Sequence, residues 1–271
     1  MLLHAKFGKI PMEDTYMEYI QFGTGQRNLV MLPGLGDSLR SMKGTALPVA
    51  LMYRLFAKNF TVYIFSRKHD LPEDCSTRDM AKDQVLAMEK LGISQADVFG
   101  VSMGGMIAQY LALDFPAKVN KLVLAVTSAE PNNILKESIA EWMDCARRGD
   151  HTAFMDSNLR RIYSEDYCHK NRWMVPLLGK FTKPKSYDRF YIQANACLQH
   201  NACEDLKRIQ NPTFVIGGEQ DKALSGDASK RIAEQIPGSK LLIYPQWGHG
   251  LYEEAKDFNR QVLDFLMDKN V

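Results

Sequence analysis

The chain has 271 residues, 45% of them hydrophobic, which is enough for a sizeable core and argues against extended disorder. Lys and Arg number 34 against 32 Asp and Glu, so the formal charge is only +2 with both signs scattered; this excludes recognition of nucleic acid or another polyanion through net charge. The length suits one α/β domain carrying an insertion.

The opening stretch, MLLHAKFGKIPMEDTY, is charged too soon for a signal peptide. No stretch approaches the apolar length needed to cross a bilayer. Cys75, Cys145, Cys168, Cys197 and Cys203 are odd in number and show no CxxC pair or Cys/His cluster. Reduced thiols, a cytoplasmic location, no membrane partner, no metal and no organic cofactor are therefore expected.

In chain order, Thr15 to Phe22 alternates like a strand, and Asn28 to Leu32 is a short apolar run stopped by PGLG. Thr61–Phe65 reads as the next strand. A helix follows it, with Ser76 as cap, Asp79 three residues on and Gly92 at its end. Asp97–Val101 and Lys121–Val126 are apolar runs without polar alternation, as for strands buried on both faces. From Ser128 to Cys203 the strand signal disappears, and helix formers alternate with breakers at Gly149, Pro176, Gly179 and Pro184. Strand-like sequence resumes at Thr213–Gly217 and Lys240–Tyr244, separated by a helix capped at Asp227. Phe258, Val262 and Phe265 keep helical spacing at the end. The pattern predicts an α/β fold: a mostly parallel central sheet flanked by helices, with core segments 1–127 and 204–271 and a helical insertion over 128–203.

Gly100-Val101-Ser102-Met103-Gly104 is a G-x-S-x-G pattern between a strand run and a helix run. Alone it arises by chance in roughly one chain in ten of this size; its strand–turn–helix context gives it meaning. A serine at such a turn is forced into strained backbone angles, so its neighbours must be small. The turn lifts the hydroxyl above the carboxyl edge of the sheet, beside the free N–H groups of the helix start.

A serine hydroxyl needs a base, and the base needs an orienting acid. His249, in YPQWGHGLYEE, follows the last strand run and has glycine on both sides. His69 is the reserve, since it also follows a strand, whereas His151, His169 and His200 fall in the insertion. Asp221, in NPTFVIGGEQDKAL, follows the strand before that of His249, with Glu219 as the nearby alternative. The oxyanion donors are expected from the backbone N–H groups of Met103 and of Leu35, in LPGLGDS.

These motifs together resemble the α/β-hydrolase superfamily, in its helical-capped branch of esterases, lactonases and carbon–carbon hydrolases. The resemblance covers nearly the whole chain, through LPGLGDS, FGVSMGGMIAQYLALDFPAKVNKLVL, NPTFVIGGEQD and YPQWGHG, with Ser102, Asp221 and His249 in the family's order. Two places depart from the family pattern. Pro33 stands where a histidine is usual before the oxyanion turn, and SRKHDLPED replaces the usual G-x-G-x-S loop.

The resemblance implies that the insertion is a lid over a small-molecule substrate, with Trp142, Tyr163, Tyr167 and Trp173 expected in an apolar pocket above Ser102. The expected reaction is cleavage of a small ester, thioester or lactone. The alternatives are carbon–carbon bond hydrolysis or lyase chemistry by the same three side chains, and a ligand receptor on the same fold. Neither the substrate nor the oligomeric state can be read from the sequence.

Overall fold

The computed structural model describes residues 3–268. The chain begins with β1 (Lys6–Met12), β2 (Thr15–Phe22) and β3 (Arg27–Leu32), then a 3-10 turn at Leu35–Leu39 and the short helix α1 (Ala46–Met52). It continues through β4 (Phe60–Lys68), α2 (Thr77–Lys90), β5 (Ala96–Val101), α3 (Met103–Asp114) and β6 (Val119–Ala125). Five helices follow: α4 (Asn133–Arg147), α5 (His151–Ile162), α6 (Glu165–Asn171), α7 (Val175–Phe181) and α8 (Asp188–Gln199). The chain ends with β7 (Thr213–Gly218), α9 (Ala228–Gln235), β8 (Lys240–Tyr244), α10 (Leu251–Glu254) and α11 (Phe258–Met267).

All eight strands join one sheet in the order β1-β2-β4-β3-β5-β6-β7-β8. The β1–β2 and β2–β4 pairs are antiparallel; β3 to β8 are parallel. Every residue of β5 and of β7 is buried, which explains their unbroken apolar sequence: both faces are covered by helices. On one face Val98, Leu122 and Val215 pack with Met106, Ile107 and Leu111 of α3 and Met80 and Met88 of α2. On the other, Phe99, Val123 and Phe214 pack with Phe258, Val262 and Phe265 of α11. Each such large side chain contributes roughly 1.5–3 kcal/mol through its removal from water.

Ser76 caps α2 as its sequence implies: its side chain accepts from the Asp79 N–H, and Asp79 reaches back to Ser76. The strand β1 was not legible, because Gly8 and Pro11 interrupt its pattern. It lies at the sheet edge, where a missing N–H is tolerated, and a side chain at Gly8 would strike the ring of Tyr19. Among the described residues, no strand lies between Ala125 and Thr213. The helices of that span pack back on the core, α8 against the Leu35–Leu39 turn and α2.

Candidate active site

The turn between β5 and α3 holds Ser102 at φ 54°, ψ −122°, a region that costs a non-glycine residue about 1–3 kcal/mol. The surroundings impose it. The Ser102 N–H donates to the Ala125 carbonyl at 2.9 Å, and the Thr127 hydroxyl donates to the Ser102 carbonyl at 2.7 Å. Glycine is obligatory on both sides: a Cβ at Gly100 would lie 2.5 Å from the Gly104 carbonyl oxygen, and one at Gly104 would be driven into the Leu32 carbonyl.

His249 Nε2 stands 3.1 Å from Ser102 Oγ, and its Nδ1 stands 2.8 Å from Asp221 Oδ2. The other oxygen of Asp221 accepts the N–H groups of Ala223 and Leu224, each at 2.8 Å. One carboxylate therefore orders its own turn and faces the imidazole at once. With Nδ1–H donating to Asp221, Nε2 carries the lone pair toward Ser102, so the hydroxyl has an acceptor for its proton. All three groups sit at the carboxyl edge of the parallel strands: Ser102 after β5, Asp221 after β7, and His249 after β8. The Gly250 N–H donates to the Ile162 carbonyl at 2.6 Å, tying the histidine loop to α5.

Met103 occupies the first position of α3, where an N–H has no intrahelical acceptor. Leu35 lies across from it, and the preceding Gly34 passes so close that a Cβ there would be 3.3 Å from the Ser102 Cβ. This turn is held from below by a group that the sequence reading passed over. Arg67, 2% exposed, donates through Nη2 to the Pro33 carbonyl at 2.6 Å. Asp37 accepts from the Ser66 hydroxyl at 2.7 Å and lies 3.5 Å from Arg67 Nη1. Burial pulls the Arg67 guanidinium below its ordinary range while Asp37 acts against that shift. The signal was present in the unusual SRKHD loop, but only the fold brings it under Pro33.

A small, partly open cavity of about 20 Å³ adjoins Ser102 and His249, space for about one water molecule. Its floor includes Leu35, Met103 and Met106; Ala223 and Leu224 form one side. Leu135, Ile139 and Trp142 of α4 and Cys197 of α8 close it from above. Among the described residues, no Lys or Arg lines it. A larger open depression, lined by Asp150, Thr152, Asp156 and Arg172, lies between α5 and α7, and none of Ser102, Asp221 or His249 borders it.

Of the four expected pocket residues, Trp142 lines the cavity and the other three do not. Trp173 is 72% exposed on the outer surface. Tyr163 stacks on Tyr167 at 4.2 Å and donates to Glu253 at 2.8 Å, so this pair braces the segment after His249. Residue type alone made all four eligible; the helix face that each occupies decided the outcome. His69 stacks on Tyr16 and contacts Asp70 at the surface, and Glu219 is exposed beside Lys230; neither approaches the site.

Among the described residues, no group of three or more His, Cys, Asp or Glu side chains is disposed to hold a metal ion, and no helix is long and apolar enough to cross a membrane. The five cysteines are unpaired.

A parallel sheet with a serine elbow, its loops converging on one rim, defines a class of protein, and the sequence agrees: residues 27–256 match the α/β hydrolase fold family, and the chain belongs to it. It is 27% identical to the serine hydrolase BPHL of Mus musculus, across 95% of this chain and 85% of that protein. It is 26% identical to 2-hydroxy-6-oxononadienedioate/2-hydroxy-6-oxononatrienedioate hydrolase 2 of Pseudomonas putida, across 93% and 92%. Its fold is similar to that of MGS-M2, an alpha/beta hydrolase enzyme from a Medee basin deep-sea metagenome library. The TM-score is 0.84 at 24% identity, covering 97% of this chain and 98% of that one. The relatives are hydrolases, and hydrolase activity is supported for this chain.

Proposed function

We propose that this chain is a serine hydrolase that cleaves a small, uncharged ester, thioester or lactone through an acyl-enzyme at Ser102. The observation that carries the reading is the run of contacts Ser102 Oγ–His249 Nε2–Nδ1–Asp221, at 3.1 and 2.8 Å, opening on an apolar cavity. In this reading the Ser102 oxygen attacks the carbonyl carbon as its proton passes to His249. Asp221 stabilises the resulting imidazolium, and the N–H groups of Leu35 and Met103 receive the oxyanion. The imidazolium returns the proton to the leaving oxygen or sulfur. Water, deprotonated by His249, then attacks the acyl-enzyme, and the proton passes back to Ser102 as the acid departs. Residues 128–203 act as the cap that confines the substrate.

Carbon–carbon cleavage by the same residues is the second reading, prompted by the dienedioate hydrolase relative. A dioate carries two carboxylates, and burying one without a cation is costly; no Lys or Arg lines the cavity wall, and the buried Arg67 behind it is already held by Pro33 and Asp37, which supports the uncharged ester or lactone. A fluorophosphonate probe followed by peptide mapping, with a panel of neutral esters, lactones and a dienedioate, tests both. Labelling of Ser102, loss of ester turnover in Ser102→Ala by a factor approaching about 10⁶, and no dienedioate turnover are expected. A folded protein that the probe never labels would overturn the acyl-enzyme reading.

A further inference from the structure

Apart from Ser102, His249 and the Cys197 thiol, the cavity beside Ser102 is lined by apolar side chains and by Trp142. Trp142 of α4 lines it and is 7% exposed, and its indole N–H has no hydrogen-bond partner among the described residues. Gln193 of α8 is fully buried, and both the oxygen and the nitrogen of its amide likewise lack a partner. The two helices pack together. Gln193 stands one helical turn before Cys197, itself a cavity-lining residue, so the two side chains share a face of α8. Buried donors left unmet each cost about 1–3 kcal/mol. Phe in place of Trp142, and Leu or Met in place of Gln193, would fill similar space at no such cost. A chain that keeps one such group in the wall beside Ser102, and a second in the helix packed against that wall, is one whose ligand satisfies the first with the second behind it.

We propose that Trp142 Nε1–H, backed by the Gln193 amide, is a polar subsite that receives a neutral oxygen acceptor on the substrate's acyl part. The substrate class is thereby narrowed, on the reading of Ser102 as nucleophile, to oxygenated acyl compounds: hydroxy-, alkoxy- or oxo-acyl esters and the corresponding lactones. Both donors are neutral, no Lys or Arg lines the wall, and the buried Arg67 behind Cys197 is paired with Asp37, so the acceptor is a hydroxyl, ether or ketone oxygen rather than a carboxylate. A plain alkanoyl group would leave the indole N–H unmet, which is the means by which a hydrogen-bonding site rejects an analogue lacking the partner atom.

The test uses pairs of esters of one alcohol, matched in chain length and differing by one oxygen in the acyl chain. The full chain, Trp142→Phe and Gln193→Leu are compared by kcat/KM and by fluorophosphonate labelling of Ser102. The unmodified chain should prefer the oxygenated ester by about tenfold or more, the factor that one satisfied buried donor is worth. Trp142→Phe should remove most of that preference while Ser102 is still labelled. Gln193→Leu should weaken the preference in the same direction and stands in if Trp142→Phe fails to fold. Equal turnover of both esters by the unmodified chain overturns the subsite alone, as does a preference that survives both substitutions. Turnover of neither ester with Ser102 unlabelled overturns the nucleophile reading as well.

Discussion

The Ser102–His249–Asp221 relay at the carboxyl rim and the helical span above it treat polar groups differently, while Arg67 beneath the rim keeps two nitrogens without a hydrogen-bond partner. At the rim, each side chain of the Ser102–His249–Asp221 relay has a partner, and Asp221 uses both of its oxygens. In the helices from α4 to α8, Trp142, Arg189 and Gln193 each bury a polar atom without a hydrogen-bond partner, and Trp173, Leu177 and Phe181 are exposed. A pre-ordered rim lowers a reaction barrier because its dipoles need no rearrangement when charge develops. An incompletely satisfied roof leaves bonds for something else to make. On the proposed function, chemistry belongs to the first region and selection to the second.

The sharpest way to break this division is to damage the rim without changing its shape. Asp221→Asn should lower kcat by about 10⁴-fold, because the amide favours the wrong imidazole tautomer. Steady-state kinetics on a neutral ester checks this, and a small effect would remove Asp221 from the relay. Arg67→Lys, which keeps the charge under Pro33 but not the guanidinium fork, should cost about tenfold to 100-fold in kcat with KM nearly constant, by loosening one oxyanion donor. A change in KM alone would place Arg67 with the roof.

Stability tests the seam between the two regions. His200, at the end of α8, is pushed down to about 3 by burial. It lies 2.9 Å from the Thr77 hydroxyl of α2 and 3.1 Å from the Gln109 side-chain oxygen of α3. Gln109 donates its amide nitrogen to the Ser128 carbonyl, leaving its oxygen to accept from His200 Nε2–H; Nδ1 then accepts from Thr77, and the ring is neutral. The folded form therefore resists protonation while the unfolded chain takes up the proton below about 6.5. This contribution to stability is intact above that pH and is lost as pH falls toward about 3. At pH 5 the loss should be about 2 kcal/mol relative to pH 7.5. Denaturant midpoints at the two pH values check it, with His200→Gln expected to lack that part of the slope.

The smallest effect should come from the roof's outer surface. Trp173→Ala should change stability by no more than about 0.5 kcal/mol and leave kcat/KM for a simple ester unaltered, as measured by thermal unfolding and kinetics. A large kinetic effect would mean that the α6–α7 region reaches the substrate.

The elements that could be read from the chain were those whose information is local. The glycines around Ser102 report a turn with no room for side chains, Ser76 and Asp79 report a helix start, and the unbroken runs of β5 and β7 report burial on both faces. Arg67 was not legible as a support for Pro33, since its partners are 30 and more residues distant and its sequence neighbours carry no periodic signal. The same holds for Tyr163, Tyr167 and Trp173. Aromatic residues on helices look alike until it is known which face each presents.

The sequence by itself determined the alternation of strands and helices, the order in which serine, acid and histidine occur, and the tight turn that only glycine permits, because short-range sterics and hydrophobic periodicity are written in neighbouring residues. Tertiary structure alone decided that His249 Nε2 lies 3.1 Å from Ser102 Oγ, that Arg67 lies beneath Pro33, and that Trp142 rather than Trp173 lines the cavity beside Ser102. Those are distances between segments many residues apart, set by how buried faces pack, and no local pattern encodes them.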